Sequence, residues 1–201
     1  IISDTSWDGY EDIPLQVMAG YSLIGHELIS QMDKLPTHAF LPIGVGGLAA
    51  GIVAPLWQAM GTDLCQIISV ESNLSACFQD SIAAGVPQVV NITSETLMAG
   101  LSCGEISKLA WEILQSTLSF SISISDQAVF PLMRLLAEGL SESNPIEAGE
   151  CSTAGLAGLL GIRQDENLWN QMGFSDKSIV LLIGTEGATD PEVYKKIYEK
   201  N

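Results

Sequence analysis

The run Gly44-Val45-Gly46-Gly47-Leu48-Ala49-Ala50-Gly51 constrains this chain more than any other stretch. It follows a short apolar run, Ala39-Phe40-Leu41-Pro42-Ile43, with the pattern of a buried strand. It precedes Ile52-Val53-Ala54-Pro55-Leu56-Trp57-Gln58-Ala59-Met60, which reads as a helix. A glycine-rich turn at such a junction gathers backbone N–H groups at a helix N-terminus, a geometry that suits a phosphate without Lys or Arg. A Cβ there would hold phosphate oxygens away from the backbone and penalise positive φ. The same octapeptide also serves as a tight strand–helix turn that packs closely and binds nothing.

Strand and helix patterns alternate on either side of this turn. The chain opens without Met on Ile1-Ile2-Ser3-Asp4-Thr5, an apolar pair that reads as the end of a strand, and is expected to be a piece of a longer polypeptide. Apolar residues then recur at helical spacing over 13–33 (Val17, Met18, Tyr21, Leu23, Ile24, Leu28, Ile29, Met32), and Pro36 closes that helix. Further strands are predicted at 37–43, 65–70, 89–92, 120–125 and 178–183. Helices are predicted at 75–84, 105–116, 127–139 with Asp126 as N-cap, 165–172, and from Asp190 to about residue 200. A small-residue helix ends near Gly161, and 141–145 reads as a polar loop. This alternation, with strands that read as buried on both faces, predicts an α/β fold: a mainly parallel twisted sheet with helices on both faces. Ligands of such sheets sit beyond the carboxyl ends of the strands.

Charge and composition exclude several classes. The net charge of −16, from 24 acidic against 8 basic residues, argues against nucleic acid or an anionic membrane surface as partner. No apolar run has the length of a membrane span, and no secretory signal pattern opens the chain, so the expected location is cytoplasmic. Four scattered cysteines and two histidines lack the spacing of a zinc site, so no metal is expected.

Two readings compete for the glycine loop. In the first, Gly44-Val45-Gly46-Gly47-Leu48-Ala49 satisfies the G-x-G-x-x-A dinucleotide pattern, and Glu71 ends the next strand where a ribose-binding acid sits. In the second, the loop holds the phosphate of pyridoxal 5′-phosphate. The strand closing in Gly184-Thr185 then offers a hydroxyl to the pyridine nitrogen. A neutral partner leaves that nitrogen largely unprotonated, a weaker electron sink suited to β-elimination.

The segment Asp4-Thr5-Ser6-Trp7-Asp8-Gly9-Tyr10-Glu11-Asp12-Ile13-Pro14 resembles the D-T-x-W-x-G-Y-x-x-I-P segment of the diaminopropionate ammonia-lyases. The resemblance continues through Gly44-Val45-Gly46, Val70-Glu71, Met98-Ala99-Gly100-Leu101-Ser102-Cys103-Gly104-Glu105, Gly149-Glu150 and Thr185-Glu186-Gly187. It covers nearly the whole chain and corresponds to about the C-terminal half of such an enzyme. It implies the large-domain portion of a fold type II (tryptophan synthase β-like) enzyme. Residues 1–35 would be a strand end and long connecting helix, and 36–201 the cofactor-binding α/β domain, with the N-terminal half of the parent absent. The implied reaction is α,β-elimination of 2,3-diaminopropionate to pyruvate and ammonia, in a homodimeric parent acting on a small amino-acid substrate. Alternatives are another fold type II lyase of the threonine or serine dehydratase kind, or a non-catalytic Rossmann-like nucleotide-binding module.

By the same resemblance, Gly44, Val45, Gly46, Gly47 and Leu48 would hold the phosphate and Thr185 would face the pyridine nitrogen. Gly100 and Leu101 would lie by the ring, and Glu150 would stand near it. Asp4 would lie at the substrate end, where a carboxylate pairs with an ammonium. Such enzymes carry their Schiff-base lysine in the N-terminal half. Lys34, Lys108, Lys177, Lys195, Lys196 and Lys200 fall on helices, at helix ends or in polar loops and read as solvated, so the chain alone is expected to be inactive. Cys77 and Cys103 match a cysteine pair near the entrance of the resembling enzyme, as a disulfide, a close thiol pair or two separate thiols. Cys65 and Cys151 read as core. Glu71 either contacts the cofactor region or caps a neighbouring helix. His26 and His38 read as structural, and the acidic stretch from Asp8 to Asp12 as a solvated helix entry.

Overall fold

The computed structural model describes residues 2–139 and 144–196. Its strands β1 (His38–Pro42), β2 (Gln66–Ser72), β3 (Leu118–Ile124) and β4 (Val180–Leu182) form one sheet in the order β3-β2-β1-β4. All three pairings are parallel. The helices are α1 (Asp12–Gln31), α2 (Gly47–Met60), α3 (Cys77–Ala84), α4 (Lys108–Leu114), α5 (Val129–Glu138), α6 (Ala154–Arg163), α7 (Glu166–Gln171) and α8 (Pro191–Lys195). The α/β sheet expected from the alternation is therefore present.

Side chains of a strand alternate between faces, so the central strands feed two cores. Ala39, Leu41 and Ile67 meet Ile52, Val53 and Leu56 of α2, Met18 of α1 and Trp111 and Leu114 of α4. Phe40, Ile68 and Val70 meet Val129 and Met133 of α5 and Ala154 and Ile162 of α6. Fully burying one such large side chain contributes about 1.5–3 kcal/mol. This double core explains why consecutive positions such as Ala39-Phe40-Leu41 and Ile67-Ile68 are apolar.

Missing side chains set how closely the layers approach. A Cβ on Gly51 of α2 would stand 2.7 Å from the Tyr21 Cβ and 2.8 Å from the Met18 carbonyl of α1. On the opposite face, a Cβ on Gly158 of α6 would stand 2.7 Å from Ile122 Cδ1 of β3.

Several local expectations need correction. The helix after the glycine run begins at Gly47, so Gly47 and Gly51 are helical and not part of the turn. Residues 89–92 form no strand; Val90 N–H makes one bond to the Gly104 carbonyl, and Val89 is exposed. Asp126 is not the N-cap of α5. The Ser125 hydroxyl accepts from Gln127 N–H at the start of a 3-10 turn, while the Asp126 carboxylate takes the Thr96 hydroxyl and Leu97 N–H. The α4 helix is shorter than 105–116 because Ser107, still extended, precedes it. Strands β3 and β4 border the sheet and are only partly buried, with Leu182 37% exposed, against the expectation of burial on both faces. Residues 2–6 form no strand. Ile1, part of the 141–145 loop and the end of the final helix lie outside the described residues.

Candidate active site

A cavity of about 380 Å³ opens at the carboxyl end of β1. Its floor is the glycine loop, and each glycine there has its own reason. Gly46 caps α2 with φ 97°, the left-handed region that favours glycine. A Cβ on Gly46 would also meet Phe78 Cε2 at 2.8 Å and Ala110 Cβ at 2.9 Å. A Cβ on Gly44 would meet the Gly100 carbonyl at 2.8 Å and Cys103 Sγ at 2.9 Å. Only Gly47 is bare toward the cavity: the nearest atom to its Cβ position is Asp4 Oδ2, at 3.7 Å. No side chain caps α2 and its first turn holds no acid, and its first residues, Gly47, Leu48 and Ala49, whose N–H groups lack helical partners, line this space. No Lys or Arg lines the cavity among the described residues. The groups available to hold an anion here are main-chain amides and the helix dipole.

The loop is fixed from behind. Ser107 N–H donates to the Val45 carbonyl and Ala50 N–H to the Gly46 carbonyl. Ser107 also anchors the first segment of the chain: its Oγ accepts from Ser6 N–H (3.0 Å) and bonds the Ser6 hydroxyl (2.8 Å). The Ser6 Oγ in turn accepts from Leu109 N–H. Lys108 clamps the same segment through Asp8 (2.7 Å) and Glu11 (2.8 Å). The Lys108 ammonium holds the Asp8 carboxyl below its ordinary range. The acidic stretch is thus solvated, as expected, and also an anchor. These contacts carry Asp4 to the cavity, beside Gly47.

The second wall is the 3-10 turn Ala99–Leu101. The Ser75 hydroxyl donates to the Leu101 carbonyl at 2.8 Å, and buried Met98 pins the turn to the core. The third wall holds Thr185, Glu186, Cys151 and Ser152. Gly44, Val45, Gly46, Gly47, Leu48, Gly100, Leu101, Thr185 and Asp4 therefore share one cavity. Glu150 is not in its lining; the carboxylate on this third wall is Glu186. Burial, followed by the Glu186 and Asp190 charges, raises the Glu150 carboxyl above its usual range.

Sequence reasoning missed Cys151, Ser152, Tyr21 and Glu186 as lining residues, whereas Cys103, which the resemblance puts near the entrance, lines the cavity. Cys151 read as core, yet lines the cavity, where burial and Glu186 push its thiol up to about 12. Cys65 is core as expected, its thiol raised to about 11 by burial. Cys77 and Cys103 are free thiols. Burial, Glu71 and then Cys103 push Cys77 up to about 12, whereas burial and then Asp4 raise Cys103.

Glu71 settles as a helix cap. It is fully buried and accepts from Phe78 N–H (2.8 Å) and Gln79 N–H (2.7 Å) at the start of α3. Burial outweighs those two bonds and lifts its carboxyl to about 7. A ribose-binding acid must present free oxygens to solvent, and these are spent on α3. His38 is structural: its ring bonds Thr37 Oγ1 and the Met172 carbonyl and stacks on Phe174 at 3.9 Å. His26 is on the exposed side of α1.

The family model described as "Pyridoxal-phosphate dependent enzyme" matches residues 7–183. The chain belongs to that family. Among its pyridoxal-phosphate dependent relatives, the diaminopropionate ammonia-lyase of Escherichia coli (strain K12) is 33% identical over 205 residues, covering 98% of this chain and 51% of its own length. A crystal structure of the Escherichia coli enzyme, in complex with an aminoacrylate–PLP azomethine reaction intermediate, superposes with a TM-score of 0.89 at 32% identity, covering 98% of this chain and 51% of that one. A serine racemase from Dictyostelium discoideum superposes with a TM-score of 0.70 at 22% identity, over 88% of this chain and 51% of its own, a likeness of fold alone. The chain spans about half the length of the curated relatives it matches. Its parallel sheet with helices is that of the fold type II members of the family.

The cavity fits the family's cofactor at its phosphate end. Gly47 leaves the space that a Cβ would fill, and the first residues of α2 line it. No lysine lines the cavity among the described residues. Lys34, Lys177 and Lys196 are exposed, Lys108 is held by Asp8 and Glu11, and Lys195 pairs with Glu192. Lys200 lies outside the described residues.

Proposed function

We propose that this chain forms the phosphate- and ring-binding portion of a lyase that converts 2,3-diaminopropionate to pyruvate and ammonia by α,β-elimination. One observation carries the reading: the bare glycine floor at the start of α2 and Thr185, 138 to 141 residues further along, line the same cavity. Pyridoxal phosphate, when bound, supplies the electron sink that makes the substrate α-proton acidic and lets the β-amine leave. The amides of 44–48 hold the phosphate. Gly100 and Leu101 bound the ring, Thr185 offers its hydroxyl to the ring nitrogen, and Glu150 stands behind the third wall. The Asp4 carboxylate pairs with a substrate ammonium. The match to ammonia-lyases over 98% of the chain supports this substrate class. Residues 36–201 act as the cofactor-binding domain and 1–35 as its connecting segment. The parent acts as a homodimer in the cytoplasm, and no helix among the described residues is long and apolar enough to cross a membrane.

No lysine among the described residues faces the cavity, so the 201 residues alone bind the cofactor without turnover. Equilibrium titration with pyridoxal 5′-phosphate is expected to show binding that orthophosphate competes away, and no pyruvate release from 2,3-diaminopropionate. Tight NAD binding in its place would overturn the lyase reading. Full turnover by the 201 residues would overturn the inactivity.

A further inference from the structure

Thr185 lies in an irregular segment just beyond the short strand β4, and is itself exposed. Its hydroxyl makes no hydrogen bond among the described residues, so nothing on Thr185 fixes its direction. Its two chain neighbours, by contrast, are both held by one side chain. A Cβ on Gly184 would stand 2.9 Å from Ser152 Cβ and 3.1 Å from Ser152 Oγ, so the backbone at 184 lies flush against that serine. On the other side, Ser152 Oγ donates to the Glu186 carbonyl (2.8 Å) and accepts from Glu186 N–H (2.9 Å). A single hydroxyl thus satisfies both main-chain groups of residue 186, as a neighbouring strand would.

The rest of the contact reinforces this grip. Glu186 Oε2 accepts from Cys151 N–H at 2.6 Å, and Gly149 N–H donates to the Glu186 carbonyl at 2.8 Å. A Cβ on Gly149 would collide with the Gly187 carbonyl. The segment from Gly149 to Ser152, leading into α6, is therefore locked to the segment from Gly184 to Gly187.

We infer that Ser152 is a positioning residue for Thr185: by holding the main chain on both sides of it, the serine hydroxyl aims the Thr185 side chain into the cavity. The inference rests on the proposal that Thr185 meets the ring of pyridoxal phosphate. It adds that the bias of the ring toward its unprotonated form depends on a residue that need not touch the ring nitrogen. β4 offers only three paired residues, too few to hold the segment beyond it, so side-chain bonds supply the order that the sheet does not.

The test uses the full 201-residue chain and pyridoxine 5′-phosphate, which binds without a lysine and whose absorption reports ring protonation. Ser152→Ala, Thr185→Ala and the double variant are compared. Without ligand, Ser152→Ala is expected to speed hydrogen exchange at Glu186 N–H by roughly tenfold, the value of one net hydrogen bond. Exchange in β2 stays unchanged and reports an intact fold. With ligand, Ser152→Ala is expected to weaken pyridoxine phosphate roughly five- to tenfold and to shift the bound spectrum as Thr185→Ala does. Orthophosphate binding is unaltered, and the double variant is no worse than either single one. Should Ser152→Ala not fold, Ser152→Cys, of nearly the same shape but a weak donor, gives the same changes at smaller amplitude. An unchanged ligand spectrum, or losses that add fully in the double variant, overturns the positioning role. If the wild-type chain binds no pyridoxine phosphate while Glu186 exchange still responds, the cofactor reading fails and Ser152 is a structural clasp only.

Discussion

Replacing Gly46 by alanine separates the two demands made on the glycine loop. At φ 97° and ψ −6° the residue is left-handed, which costs an L-residue about 1–2 kcal/mol. Alanine has less conformational freedom to lose from the unfolded chain, which returns about 0.4–1 kcal/mol to the folded state. The new methyl would also stand 2.8 Å from Phe78 Cε2 and 2.9 Å from Ala110 Cβ. Neither neighbour gives way easily: both are fully buried, and Phe78 packs on Trp111 with ring centroids 6.1 Å apart. Overpacking of that kind costs about 1–3 kcal/mol. The sum is a loss of about 1–5 kcal/mol, a large share of a stability that for domains of this kind is about 5–15 kcal/mol. Gly85 is the control, because it is also left-handed (φ 71°, ψ 7°) but has no atom within 4 Å of its Cβ position. Gly85→Ala bears the backbone cost alone and should lose about 1 kcal/mol. Urea unfolding followed by tryptophan fluorescence measures both variants, with an unchanged slope as the check on two-state behaviour. Equal losses at the two positions would show that close packing behind the loop, as opposed to backbone conformation, is not what demands glycine at 46.

Two further predictions concern carboxylates. The folded-state value of Glu71 is raised to about 7 from 4.5, so the folded chain binds the proton more tightly than the unfolded one. Its contribution is therefore fully present below about pH 4.5 and lost as pH rises through about 7, a change on the order of 3 kcal/mol at most. The difference in stability between wild type and Glu71→Gln should move by that sign across this window in urea titrations at several pH values, and a flat difference would refute it. Asp4 stands beside Gly47 at the proposed anion floor, where two unit charges about 4 Å apart repel by about 1–4 kcal/mol between water-like and protein-like surroundings. Asp4→Asn should therefore tighten orthophosphate binding by roughly fivefold or more in calorimetric titration. It should also weaken recognition of a diamino substrate in the complete enzyme. Unchanged phosphate affinity would place the anion elsewhere.

What the sequence by itself determined is the set of local patterns and the kind of chemistry they permit. Apolar runs of strand length alternating with helical spacing are enough for a parallel α/β sheet, because a strand buried on both faces cannot alternate. The glycine run after β1 is enough to propose an anion floor, because amides there need no side chain. The specific segments from Asp4 to Pro14 and from Met98 to Glu105 were enough to indicate the family. Errors in the same reading were local where short-range bonds compete: Gly47 joined the helix because α2 continues back to the cap at Gly46, and Asp126 turned to Thr96 because that loop packs over it.

Tertiary structure alone decided which polar groups join Asp4 and Thr185 in the cavity. Glu71 looked available at a strand end, but α3 folds back and takes both its oxygens, whereas Glu186 and not Glu150 lines the cavity. Cys151 reads as core and Ser152 beside it carries no signal, and only the approach of the segment from Gly184 to Gly187 makes them a wall. The physical reason is that local periodicity records which face of an element is apolar. The partner of a carboxylate or hydroxyl is chosen by segments more than 30 residues apart in Ser152–Glu186 and about 100 apart in Ser6–Ser107, and no local pattern encodes that pairing.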